Sequence, residues 1–324
     1  MKTRVLFVWP GLTGYMGDCW RELANRPGIE LKVIVDTTET WFGGGFKAEE
    51  VLRGLDWTTE LPHTWHPDIV FAVGWRNKLC REAVLRPDWS DVPKVCCFDM
   101  PWRWQFRCLA ARFVLRRYLS HFTTAFIPGT AASRYARWLG FERIYEGLFA
   151  TNTKRFGARR GGGGFLCVGR DVPDKGMDVL RAAHRLYQSR GGTLPLRIVN
   201  GIPSDELGRI YAMADCFVLA SRWEPWGVVL AEAGAAGLPI ICTDACGARH
   251  EVVREGINGL VVKRGSVEAL ANAMAHVGDL NGESGRKLAD PYSCRAWAER
   301  VLKIVDDLTQ RERQSFFKAN GGAV

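Results

Sequence analysis

The sequence predicts an α/β fold built from parallel strands alternating with helices, in two domains. Three observations point there. From Ser221 to Ile240 a strand, a turn, a helix and the next strand follow almost without spare residues, and Phe165 to Leu180 opens a second such unit. A glycine-rich stretch, Gly157 to Gly164, marks a composition shift ahead of the second unit. The 324 residues, 47% of them hydrophobic, suffice for two domains of ordinary size, each with its own core.

Along the chain, Val5-Leu6-Phe7-Val8-Trp9 is a first strand, too short in its apolar run for a signal-peptide core. The turn Pro10 to Gly17 leads into a helix expected at Asp18 to Leu23. A glycine turn against a helix amino terminus can accept an anion or let a hydroxyl approach closely, and it is equally an ordinary strand-to-helix turn. It is not GxGxxG, so no dinucleotide fingerprint is present. Val95 to Met100 is an apolar strand ending in Asp99, which either contacts a ligand or caps the following helix. Gly157 to Gly164 reads as a flexible linker, since no Gly-Lys-Ser/Thr follows it. After the strand Phe165 to Val168, Arg170 and Lys175 emerge at a strand's carboxyl end, where open α/β sheets bind ligands. A guanidinium beside an ammonium there can neutralise a diphosphate without metal, although two solvated loop cations would look the same.

Glu224 and Glu232 stand eight residues apart. Pro225 suits a first helical turn, Val228 to Ala236 suits a buried helix, and Gly237 with Pro239 closes it. Eight helical residues rise about 12 Å, so both carboxylates can address one elongated ligand, such as a sugar joined to a ribose through a diphosphate.

Together, Gly169-Arg170, Lys175-Gly176, Glu224-Pro225-Trp226-Gly227, Glu232-Ala233, Gly237-Leu238-Pro239-Ile240 and Asn258-Gly259-Leu260-Val261-Val262 resemble the carboxyl-terminal domain of retaining glycosyltransferases of family 4, over roughly residues 123 to 275. The resemblance implies the GT-B fold, two Rossmann-like domains facing across a cleft, with Thr124 to Gly129 as the last strand of the first domain and Ser133 to Arg137 in its last helix. It implies Arg170, Lys175 and Gly14 at the donor diphosphate, and Glu232 at the ribose. Glu224 with the amides of Trp226, Gly227 and Val228 would meet the donor sugar, and Tyr15 would lie near the acceptor. Asp99 stands near the point where many relatives carry a histidine, and with Glu224 it is expected to be catalytic. One α-β unit after Val199 is missing, because Asn200-Gly201-Ile202-Pro203 runs directly into the next helix; this loop, with Ile202, would face the nucleobase. Expected boundaries are 1–155 for the acceptor domain, 156–164 for the linker and 165–290 for the donor domain. Residues 291–324 are expected as a terminal helix crossing back to domain one.

Charge is localised. Residues 101–160 hold 12 of the Lys and Arg and 2 of the Asp and Glu, which accounts for the net +9. Within 101–118, Trp102, Phe106, Leu109 and Phe113 fall at helical spacing beside arginines, a pattern that either rests on an anionic membrane surface or packs its stripe on the sheet. No nucleic-acid module is recognisable. His63 and His66 lack a third ligand at useful spacing, and there is no Asp-x-Asp, so no metal is assigned. The ten cysteines show no paired CxxC and read as reduced thiols, which places the chain in the cytoplasm, peripheral to a membrane if residues 101–118 touch one. The expected function is metal-independent, retaining transfer of a hexose from a nucleoside diphosphate sugar of UDP or GDP type to a glycan or lipid-linked acceptor, with no other cofactor. A GT-B epimerase or phosphorylase, or a noncatalytic nucleotide-sugar-binding protein, is the alternative.

Overall fold

The structure is a computed structural model that describes residues 2–37, 47–203 and 205–319, with side chains through residue 309. Residues 320–324 of the expected terminal segment lie outside the described residues.

Two parallel sheets organise the chain. The first contains β1 (Thr3–Pro10), β2 (Ile29–Asp36), β3 (Asp56–Thr58), β4 (Ile69–Val73), β5 (Lys94–Cys97), β6 (Thr124–Ile127) and β7 (Ile144–Glu146), in the order β3-β2-β1-β4-β5-β6-β7. The second contains β8 (Phe165–Val168), β9 (Leu196–Val199), β10 (Cys216–Leu219), β11 (Ile240–Thr243) and β12 (Gly259–Val262), in the order β12-β11-β10-β8-β9. β1 pairs with β2 through Val5 and Leu31, and with β4 through Val5 and Ile69. Covered on both faces, β1 buries Val5, Leu6, Phe7 and Val8 completely, which is why it reads as a continuous apolar run rather than an alternating one. Strand β7 extends the first sheet one strand beyond the expected last strand at Thr124–Ile127.

The second sheet ends on β9, because residues 200–203 carry the chain straight toward the helix Leu207–Met213; this is the missing α-β unit. Both sheets reverse their winding, between β1 and β4 in the first and between β8 and β10 in the second. Such switch points open a crevice at the carboxyl ends of the strands.

The domains share one apolar cluster. Phe7, Trp20, Leu148, Leu166, Phe217 and Trp297 belong to it together. The helix Cys294–Ala319 packs on the helix Gly14–Ala24, with Trp297 Nε1 donating to Leu148 O at 2.8 Å. Arg155 pairs with Asp18 across the crossover, and Thr151 and Ser293 run side by side where the chain passes between domains twice.

The glycine stretch is more firmly placed than a flexible linker. The amides of Gly162 and Gly164 donate to the Asp215 carboxylate, and a Cβ on Gly163 would stand 2.5 Å from Met213 O. The aromatic stripe is also split. Trp102 packs against Trp138 at 5.3 Å between centroids, while Phe106 and Phe113 project into solvent. The helix begins only at Phe106, so Trp102 does not lie on it and the spacing counted from Trp102 does not describe a helical face.

Candidate active site

The carboxyl ends of β1, β5, β8 and β10 lead into the segments that carry Tyr15, Asp99, Lys175 and Glu224, the expected residues that interact with one another. After β8, the turn residues Pro173–Lys175 precede Gly176, whose φ of 63° is left-handed and whose Cβ would stand 2.3 Å from Ala220 O. Only glycine fits there, and this close approach sets Lys175 against the end of β10. Lys175 Nζ forms an ion pair with Glu224 Oε2, a contact 49 residues apart in the chain. Arg170 is exposed, and its guanidinium makes no hydrogen bond or ion pair among the described residues. The loop thus offers one free cation and one engaged by the carboxylate.

Glu224 is 8% exposed and lies on extended chain, with its carbonyl accepting from Gly247 N at 3.0 Å. The helix starts at Val228, not at Pro225, because Gly227 takes φ 95° and turns the chain. The two glutamates therefore do not share a helix, and the rise of eight helical residues does not set their separation. The Trp226 indole is buried against Gly129 of the first domain and Tyr292, with ring centroids 5.2 Å apart to the latter. The ring is committed to packing, which leaves the backbone amides of Trp226, Gly227 and Val228 as the groups available at the helix amino terminus.

Glu232 is buried on the helix Val228–Ala235, with Tyr211 Oη donating to Oε2 at 2.8 Å. Burial pushes its carboxyl above the usual range; the Tyr211 hydrogen bond and the charge of Arg155 pull it back, while Asp18 pushes it up. Ile202 is partly buried on the short loop beyond β9, beside Gly201 with φ 66°.

From the first domain, the helix Gly14–Ala24 begins four residues earlier than its expected start at Asp18, so Gly14 and Tyr15 form its first turn and their amides lack intrahelical partners. The Tyr15 ring packs edge-on against Phe149 at 5.7 Å. Burial pushes its phenol well up, with Asp99 and Glu224 adding to that. Asp99 caps no helix, since the next one starts at Phe106 with Gln105 before it. Burial pushes the Asp99 carboxyl up to about 6, its own backbone amide pulls it down, and the Glu224 charge pushes it further up. Tyr15 and Asp99, from the first domain, thus both feel the charge of Glu224 from the second.

Sequence reasoning missed the contacts between the domains. Arg103 stacks its guanidinium 3.7 Å from the Trp223 ring centroid, next to Glu224. Glu251 Oε1 accepts from Thr130 N at 2.9 Å and from Thr130 Oγ1 at 2.6 Å. Gly129 is the readable signal for this second contact, because a Cβ there would stand 2.5 Å from the Trp226 ring. Among the described residues no group of three or more His, Cys, Asp or Glu could hold a metal ion, and the ten cysteines are buried and unbridged. A hollow of about 550 Å³ lined by Arg76, Arg81 and Arg86 contains none of the site residues.

The glycosyl transferases group 1 model matches residues 185–289. The GDP-mannose-dependent alpha-(1-6)-phosphatidylinositol monomannoside mannosyltransferase of Mycolicibacterium smegmatis is 30% identical over 221 residues, 57% of this chain and 56% of that protein. The chain thus spans about half the length of that relative. A glycosyltransferase from Rickettsia africae superposes with a TM-score of 0.74 at 14% identity, covering 94% of this chain and 98% of that one. The Anabaena protein HepE, solved with UDP and glucose, gives a TM-score of 0.67 at 14% identity over 94% and 100%. At such identities the likeness establishes the fold, which is GT-B.

Proposed function

On a chain with a glycosyl transferases group 1 domain at residues 185–289 inside a GT-B fold, we propose retaining, metal-independent transfer of a hexose from a nucleoside diphosphate sugar to a glycan or lipid-linked acceptor. The observation that carries this is the convergence of Tyr15 and Asp99 from one sheet on the Lys175–Glu224 pair from the other, with the exposed Arg170 on the same loop as Lys175. Leaving-group charge is the main electrostatic demand of the reaction. Arg170, Lys175, the Gly14 turn and the amides of Trp226, Gly227 and Val228 supply positive potential for the departing diphosphate. Glu224 orients the sugar, Glu232 takes the ribose hydroxyls, and Ile202 lies at the base. Lys175 must exchange its carboxylate for phosphate as the donor enters. Transfer on the same face of the sugar requires no enzyme nucleophile.

The donor is of UDP or GDP type, and GDP-mannose is the first to test, given the mannosyltransferase relative. The protein is cytoplasmic and acts in polysaccharide or glycolipid assembly, with an anionic membrane surface as partner. Among the described residues no helix is long and apolar enough to cross a membrane. A thermal-shift series with UDP, GDP, ADP and TDP and their sugars should show one base stabilising the protein by ~2.7 kcal/mol at 100 times its dissociation constant. Sugar transfer with release of the nucleoside diphosphate should then persist in EDTA. Stabilisation by none of the four would remove the donor site, and loss of transfer in EDTA restored by magnesium or manganese would remove the metal-free scheme.

Asp99 gives this reading a pH signature. As a carboxylate it accepts a hydrogen bond from a donor-sugar or acceptor hydroxyl, so the active form is the ionised one. With the carboxyl raised to about 6, kcat/KM should fall as pH drops through that value and level off above it. Asp99→Asn should be slow and should lack this limb. A limb unchanged in the variant would assign it to another group.

A further inference from the structure

Four of the seven large apolar side chains most exposed among the described residues crowd into one short stretch of the first domain: Trp104 at 75%, Phe106 at 83%, Phe113 at 73% and Val114 at 78%. The last three lie on the helix Phe106–Val114. At about 100° per residue, Phe113, Phe106, Ala110, Val114 and Arg107 share an arc of roughly 120°, and Cys108 lies on the opposite side. Cys108 is the helix's fully buried residue, packed into the cluster beneath the sheet, with Ala111 and Leu115 against the same cluster. The helix is therefore anchored by one face and presents an apolar face to solvent.

That outer face is framed by positive charge. Arg107, Arg116 and Arg117 are exposed, and their guanidinium groups make no hydrogen bond or ion pair among the described residues. No Asp or Glu occurs between Asp99 and Glu142, so the segment itself supplies no carboxylate to neutralise them. Arg103 and Arg134 are engaged elsewhere, the first on Trp223 and the second over Trp102 and Trp104.

We infer that this face, formed by Trp104, Phe106, Phe113 and Val114 with Arg107, Arg116 and Arg117, seats in the surface of an anionic bilayer. An apolar arc flanked by arginines matches the boundary between acyl chains and anionic headgroups. Trp104, packed on Trp102 yet largely exposed, precedes the helix by two positions and adds an amphipathic ring of the kind favoured at membrane interfaces. A second copy of the chain fits less well, because a two-fold contact through this patch would set arginine against arginine. The position ties docking to the site. Six residues separate Asp99 from Phe106, and Arg103 in that short segment stacks on Trp223 beside Glu224. The docked helix thus brings the bilayer beside the junction of the two domains. Resting on the proposed transfer, this makes the acceptor one delivered from the membrane; the docking itself does not depend on the donor.

The test is cosedimentation of the full chain with phosphatidylcholine vesicles, with and without phosphatidylglycerol, at low and high salt, alongside thermal shifts with the nucleoside diphosphate series. The native protein should sediment with the anionic vesicles and release in salt. Arg107→Gln, Arg116→Gln and Arg117→Gln together should weaken that binding about a hundredfold, at about fivefold for each arginine. Phe106→Ser with Phe113→Ser should weaken it at least tenfold even at low salt. Nucleoside diphosphate shifts should survive in both, which shows the fold intact. Equal binding to neutral and anionic vesicles, or both variants binding as the native chain does, overturns the proposal. So does a dimer on gel filtration that Phe106→Ser and Phe113→Ser dissolve without vesicle binding in the native protein. Vesicle binding in a chain that no nucleoside diphosphate stabilises would leave the docking face standing and fail the donor reading instead.

Discussion

Glu224→Gln is expected to lose turnover by about a hundred- to a thousandfold while binding free nucleoside diphosphate at least as tightly as the native protein. The first part follows from the proposed place of the carboxylate at the donor sugar, where a single electrostatic contact made in the transition state is worth about that much. The second follows from the ion pair. In the empty protein Lys175 is held by Glu224, so a diphosphate must displace a carboxylate to reach the ammonium. Glutamine keeps the shape and removes the competing charge. Glu232→Gln should fail in the opposite way. A ribose hydroxyl keeps its partner from substrate to transition state, so its loss is uniform binding and appears in KM rather than kcat. A charge-assisted hydrogen bond is worth about 1.5–3 kcal/mol, or roughly ten- to a hundredfold in KM. Steady-state kinetics and calorimetry on both variants decide it. If Glu224→Gln lost diphosphate affinity and kept normal turnover at saturation, the donor would be placed wrongly.

The difference between these two glutamates also marks how far sequence alone reaches. What is encoded locally was legible: the buried strands β8 and β10, the turns after them and the shortened connection beyond β9 all show as runs of a few residues. What depends on a backbone dihedral or a distant partner was not. Pro225 looked like the start of a helix, yet Gly227 turns the chain and delays it to Val228. Proline at a first turn is a statistical preference, and one left-handed glycine overrides it. The turn at Pro10 to Gly17 hid a helix already running at Gly14: Thr13 is its N-cap but makes no capping hydrogen bond, and the glycine that follows is a poor helix former. The Lys175–Glu224 and Arg103–Trp223 contacts join segments that the fold alone brings together. The stripe counted from Trp102 shows the same limit. Periodicity predicts a face only where the chain is helical, and Trp102 lies four residues before the helix.

Arg170 and Lys175 leave the same loop with the same charge, and their alanine variants are expected to part company in stability. Arg170 is exposed and unpartnered among the described residues, so Arg170→Ala should leave stability within about 0.5 kcal/mol and weaken diphosphate binding by about 1.5–3 kcal/mol. Lys175→Ala should lose the same order of affinity and destabilise the empty protein as well. It strips the partner from Glu224, whose side chain is 10% exposed, and an unpaired buried carboxylate is costly. The Lys175 side chain is itself 21% exposed, so water moderates the penalty to about 1–3 kcal/mol rather than the full cost of a buried ion. The pair can be isolated by a cycle. Lys175→Ala combined with Glu224→Gln removes both charges, so it should recover most of the stability lost by Lys175→Ala alone while remaining inactive. Denaturant midpoints on the three variants and the native chain, with calorimetry against the diphosphate, read both quantities. A Lys175→Ala protein as stable as the native one, with no recovery in the double variant, would mean that the ion pair does not hold in solution, and with it would go the claim that the donor must displace Glu224 from Lys175.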